Sequence, residues 1–237
     1  MMRRRSSAAP LFAMALLVSG CSAGLPLWTG GGTTPTGRVE LTAGGNARVP
    51  TGKLAAGRNT SIPERAARAG VSPAGQARVG LSRNLDLGIT VSGTLARFDV
   101  RYAWELSNDG TTRYVLLFAP GVYGGGFDDP ADGHGAAFGA DLPLVLGANY
   151  GSVVELYVGP RFGLDRVSGE LFGDASPVDG VGGRASGTVG LGTGFRGLLG
   201  LLELTVQHEW WSGDIGGAEG DVHGFVLMPS FGLRFRL

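Results

Sequence analysis

From Gly37 to Leu237 apolar side chains recur at every second position far more often than at helical spacing. The cleanest run is Phe98, Val100, Tyr102, Trp104 and Leu106, with further runs over Leu85 to Val91, Tyr114 to Val122, Phe138 to Leu146, Val154 to Leu164, Leu202 to Trp210 and Phe225 to Leu237. Side chains of an extended backbone alternate between two faces, so runs of this length predict strands with one apolar and one polar side. Ten such strands are counted, or eight if the Val39 segment and the weak link near Gly93 are misread. Only Pro63 to Gly70 reads as helical, and it falls within a loop.

The connections are uneven. Short polar turns (Arg83 to Asp86, Ser107 to Gly110, Asn149 to Ser152, Arg196 to Gly197) take turns with generally longer segments (Gly44 to Pro73, Gly124 to Gly135, Val167 to Arg184, Ser212 to Asp221). An even count of antiparallel strands with one trimmed and one elaborated end predicts an all-β, up-and-down transmembrane β-barrel, short turns in the periplasm and longer loops outside. Composition fits a chain that is neither disordered nor an ordinary soluble enzyme: charged residues are 17%, and the 44 Gly follow no collagen period. Zero net charge argues against nucleic acid as a partner. A single Cys excludes an intrachain disulfide framework and a Cys-based zinc site.

Period two leaves open which face is inside. The polar parity carries Glu40, Arg78, Asp99, Arg101, Glu105, Asp141, Glu155, Arg161, Asp165, Glu203, Gln207, Glu209, Arg234 and Arg236. Acids and arginines are nearly balanced and Lys is absent from the set, which suits an enclosed lumen where planar guanidinium groups pair carboxylates bidentately. These residues are therefore assigned to the lumen and the apolar set to lipid. A lipocalin-like periplasmic carrier of an apolar ligand would reverse the two faces. Pro120, Pro160 and Pro229 are expected at the outer rim, where a missing N–H is compensated by water, and Pro143 has no such explanation. Tyr102 and Trp104 near the short turns, and Trp210 and Trp211 near a long loop, are expected to form interfacial girdles.

The two ends carry resemblances. Arg3, Arg4 and Arg5 precede an apolar stretch from about Ala8 to Val18, too short to span a bilayer. Val18-Ser19-Gly20-Cys21 follows and resembles the lipobox of bacterial lipoproteins. That resemblance implies a signal peptide over 1–20, acyl chains attached at Cys21, and, because Ser22 stands where an Asp would favour inner-membrane retention, delivery to the outer membrane. Residues 21–36, mostly Gly, Thr, Pro and Ser, read as a flexible tether to a barrel over 37–237. The alternating C-terminal strand, Phe231, Leu233, Phe235 and Leu237, resembles the terminal signal of outer-membrane barrels, with Leu237 in place of the usual aromatic residue. Together the resemblances imply outer-membrane lipid, barrel-assembly machinery and lipoprotein-export machinery as partners.

The search for chemistry yields little. Asp128, Asp129, Asp132 and His134 share a loop whose spacing fits no EF-hand. His208 with Glu209, or His223 near Ser212, would be the starting point for a membrane-embedded lipid-modifying enzyme. No hydrolase, zinc-protease or P-loop motif is present. The expectation is an outer-membrane β-barrel lipoprotein with a structural or surface-interaction role and no catalytic, cofactor-binding or metal-binding residues, with the lipocalin-like carrier and the lipid-modifying enzyme as alternatives.

Overall fold

The computed structural model describes residues 25–52, 54, 69–129, 133–151, 153–171, 176–195, 197–215 and 218–237. The expected signal peptide, Cys21 and nearly all of the stretch read as helical lie outside the described residues. Eleven strand segments follow in order: β1 Val39–Pro50, β2 Gly70–Ser82, β3 Leu85–Ser92, β4 Leu95–Asn108, β5 Thr112–Phe118, β6 Gly121–Asp129, β7 Gly133–Tyr150, β8 Val154–Leu171, β9 Ser176–Phe195, β10 Leu198–Ile215 and β11 Ala218–Arg236.

β5 and β6 are two halves of one strand. Both pair with β4 and with β7, and the register carries straight across the gap between them, Tyr102↔Phe118 continuing as Asp99↔Gly121. The interruption is Ala119-Pro120, where proline has no N–H for the ladder. The sheet is thus an antiparallel meander of ten strands. It is closed by β1, which pairs β2 on one side and β11 on the other, Glu40↔Arg236 through Pro50↔Val226. Closure leaves no edge along the wall, so backbone groups there find partners without water. Pro143, unexplained from sequence, faces the lumen, and its carbonyl accepts the Ala119 N–H at 3.1 Å.

The apolar parity faces out. Val100, Leu116 and Leu142 and their counterparts around the barrel turn away from the lumen, and Phe98, Leu164, Phe195, Leu202 and Phe231 are each more than half exposed. A continuous surface of this kind is solvated by hydrocarbon, not water. The lipocalin-like arrangement is overturned here, since it needs the same residues inside. The girdle expectation holds for Trp104, edge-to-face with Tyr102 at a ring-centroid distance of 4.7 Å, and for the outward Trp210. Trp211 instead points into the barrel, where its indole donates to Glu209 at 3.2 Å.

Much of what reads as long loop is strand. β6 and β7 turn over between Asp129 and Gly133, and β10 and β11 stay paired to Ile215↔Ala218. Strands of 18 to 20 residues over β7 to β11 rise about 45 Å at a tilt near 40°, well beyond a ~25 Å apolar band. Above that band neither face meets lipid, so alternation fades while the hydrogen-bond ladder continues.

Candidate functional site: a lumen occupied by its own N-terminal segment

Paired charges and the chain's own N-terminal segment are buried in the barrel interior. Starting low in the barrel, Arg78 bonds Asp86 at 3.0 Å and also Asp99; Arg97 bonds Asp99 and, at 2.7 Å, Asp141; Asp141 is shared with Arg161. Arg184 continues the ladder upward, 3.7 Å from Asp165 and over the ring of Tyr123. A second group joins Glu40, Glu155, Arg234 and Arg236, with Arg236 to Glu40 at 2.7 Å and Arg234 to Glu155 at 2.9 Å. Higher up, the Arg48 guanidinium grips both Glu209 oxygens, at 2.7 and 2.5 Å. Removing these charges from water costs several kcal/mol per ion and is offset only by such pairing. The network accordingly dictates which residues meet more than it adds net stability.

The lumen assignment made from sequence holds for every residue named except Glu105. That carboxylate lies near the short-turn end, exposed, where Arg83 and Arg113 reach it at 3.2 and 2.8 Å. Arg48, expected in the first loop, belongs to β1 and is buried. Asp86, Arg97 and Arg184 were missed. Arg97 shares the parity of Asp99 and Arg101, Asp86 alternates with Leu85 and Leu87, and Arg184 lies on the parity opposite Val189 and Leu191, so extending the alternation along each strand finds them.

The larger surprise lies ahead of the first strand. Where 21–36 reads as a flexible tether, the structure places residues 25–34 inside the barrel, with Pro35 and Thr36 exposed. Leu25, Leu27 and Trp28 are fully buried against wall residues that include Leu95, Ala103, Leu117 and Leu199. This segment forms no strand ladder, so wall side chains take up its backbone groups. The Leu25 carbonyl accepts from Arg161 (2.8 Å) and that of Leu27 from Gln76 (3.1 Å); Trp28, Thr29 and Gly31 offer theirs to Arg234, Arg101 and Asn149. The Thr34 amide donates to Asp86 at 2.6 Å.

Glu203 is the centre of this arrangement. Its carboxylate accepts the amides of Leu27 at 2.9 Å and Trp28 at 2.8 Å, together with the Tyr157 hydroxyl at 2.8 Å. Trp28 has φ of +40°, a left-handed conformation unusual for a bulky residue. A left-handed residue lets successive N–H groups converge on one anion, the concavity known as a nest. Two wall glycines make room for the segment: a Cβ at Gly80 would lie 2.1 Å from the Pro35 carbonyl oxygen, and one at Gly147 would lie 2.8 Å from Gly31 Cα. Below the segment a polar vestibule of about 420 Å³ opens between Asn108, Arg113, Asn149 and Arg236, roofed by Gly32 and Thr33. Above it Leu54, from the connection after β1, packs on Val226 and Met228.

The histidines considered for catalysis do not assemble a relay with an acid. His208 faces outward beside Phe225, Trp210 and His223, at ring-centroid distances of 4.9, 6.1 and 5.9 Å, while Glu209 points into the lumen. Asp128 stands opposite His134 in the β6–β7 ladder, and Asp132 is outside the described residues. Among the described residues no group of three or more potential ligands is placed to hold a metal ion.

No family model matches the chain, and no curated protein matches it. Among solved structures it is similar to the outer membrane protease OmpT from Escherichia coli, with a TM-score of 0.46 and 9% identity over 84% of this chain and 96% of that one. It is similar also to the outer membrane protein OprG from Pseudomonas aeruginosa, with a TM-score of 0.42 and 9% identity over 87% and 98% of the two chains. Ail, the attachment invasion locus protein of Yersinia pestis, aligns with a TM-score of 0.30 and 10% identity over 85% and 99%.

Proposed function

We propose that the protein is a sealed outer-membrane barrel, further anchored by acyl chains on Cys21, with a structural or surface-interaction role rather than a catalytic or conducting one. The observation that carries the reading is the occupied lumen: the chain's own residues 25–34, clamped by Glu203, Arg101, Arg161 and Arg234, stand where a solute would have to pass. Projection of His208 and Glu209 to opposite faces of β10 supports the non-catalytic part. The long strands β7 to β11 extend well beyond the apolar band, which suits contact with other surface molecules. Partners in this reading are outer-membrane lipid and the machineries that export lipoproteins and insert barrels.

The test is electrical. Purified full-length protein reconstituted into planar bilayers should give no unitary current steps, while the unboiled protein migrates anomalously in a gel until heated. Defined, reproducible steps from correctly folded protein would overturn the sealed-barrel reading.

A further inference from the structure

The lumenal segment has a direction, and that direction sets the side of the membrane on which the chain begins. The Leu25 carbonyl is held by Arg161 at 2.8 Å, and Arg161 lies seven residues above Val154, the first residue of β8 at the short-turn end. At ~3.3 Å per residue and a tilt near 40°, that is about 18 Å up the barrel. Leu25 packs there on Tyr123 and on Leu95, the first residue of β4. From this point the chain only descends. Gly31 is bonded by Asn149, next to the end of β7, and Thr34 by Asp86, next to the start of β3. Thr36 then bridges Gly80 in parallel with the descending β2, and Gly37, with φ of +71°, begins the reversal into the ascending β1.

We infer that the N-terminal end of the protein emerges at the long-loop mouth, so that the chain passes down its own barrel from the outer surface and reaches the periplasmic rim only at Gly37. The inference rests on reading the barrel as an outer-membrane protein with its short turns in the periplasm. A return toward the periplasm would need a second backbone pass beside Leu25, in a cross-section already filled by the buried Arg161, Arg97 and Tyr123. An outward course is short: the four residues back to Cys21 reach at most about 14 Å, which carries an 18 Å starting height past the top of a ~25 Å apolar band. Acyl chains on Cys21 then enter the outer leaflet, on the side opposite the short turns.

Three variants of the full-length protein, each adding one cysteine to Cys21, test this on intact cells with a membrane-impermeant maleimide, read against wild type. Gly24→Cys reports the N-terminal end, Asp221→Cys the long-loop end and Thr111→Cys a short turn. Labelling of Gly24→Cys and Asp221→Cys with Thr111→Cys protected is the expected result. Protection of Gly24→Cys until the outer membrane is permeabilised, with Asp221→Cys still labelled, overturns the inference and leaves the membrane reading intact. Labelling of Thr111→Cys with Asp221→Cys protected means that the membrane reading itself has failed. Heat-shifted gel migration confirms folding of each variant. Wild-type protein supplies an independent measure: a broad-specificity protease added to intact cells should trim the residues ahead of Leu25 and leave 25–36 whole, and an untrimmed N-terminus counts against the inference.

Discussion

Glu203 is held by two amides and a phenol rather than by an arginine, and this makes it the most informative single residue. Replacing it with Ala leaves three donors unpaired where water has little access, at about 1–3 kcal/mol each. Glu203→Ala should therefore lower the midpoint of the heat-induced gel shift sharply. Glu203→Gln keeps one acceptor oxygen and should lower it less; equal midpoints for the two variants and wild type would show that the clamp carries no weight. The same residue also shows how much parity reveals. Its lumenal side follows from alternation with Leu202 and Leu204, but its two amide partners lie 175 and 176 positions away in a stretch with no alternation. The available signal was Leu25, Leu27 and Trp28, three large apolar residues inside an otherwise small and polar stretch.

At the scale of the element, the β4–β5 turn illustrates local determination. Asp109 accepts the amides of Thr112 at 2.6 Å and Thr111 at 2.9 Å, Asn108 accepts that of Gly110 at 3.0 Å, and Gly110 takes φ of +87°. Asn-Asp-Gly is turn chemistry recognisable from sequence. The Thr112 and Thr111 amides hold the Asp109 carboxyl below the usual aspartate range. A depressed folded-state value means that the contribution is complete above the unfolded value and lost as pH falls through the folded one. Asp109→Ala should thus lower the heat-shift midpoint at neutral pH, and the gap from wild type should narrow in acid. A gap that stays constant across that range would sever the turn from its carboxylate. Strand ends, by contrast, were misread wherever both faces leave the lipid: β8 to β11 continue through Gly-rich sequence because paired neighbours satisfy their backbones, not because side chains alternate.

For the whole molecule, the two faces make opposite demands. Leu202 is 61% exposed, while its neighbour Glu203 is 5% exposed. An arginine on the lipid face near mid-height costs ~2–4 kcal/mol, so Leu202→Arg should depress yield in the membrane and the gel-shift midpoint, whereas arginines are the ordinary occupants of the other face. A neutral result in bilayer-reconstituted protein would mean that this surface does not meet hydrocarbon. The sealed lumen and the outward N-terminus are properties of the same scale, since both depend on a ring of strands closed around one segment.

Alternation along the chain was enough to establish the strands, their antiparallel order and the division into lipid and lumen faces, because each depends on chemistry repeated every two residues within a strand. The count of ten follows from the same pattern once Ala119-Pro120 is recognised as an interruption and not a turn. Closure, the pairing of specific arginines with specific carboxylates, and the entry of residues 25–34 into the lumen were legible in no local stretch. They depend on which side chains meet across the barrel's interior, and a buried charge or an unpaired amide selects its partner by proximity in the folded state, whatever the separation in sequence.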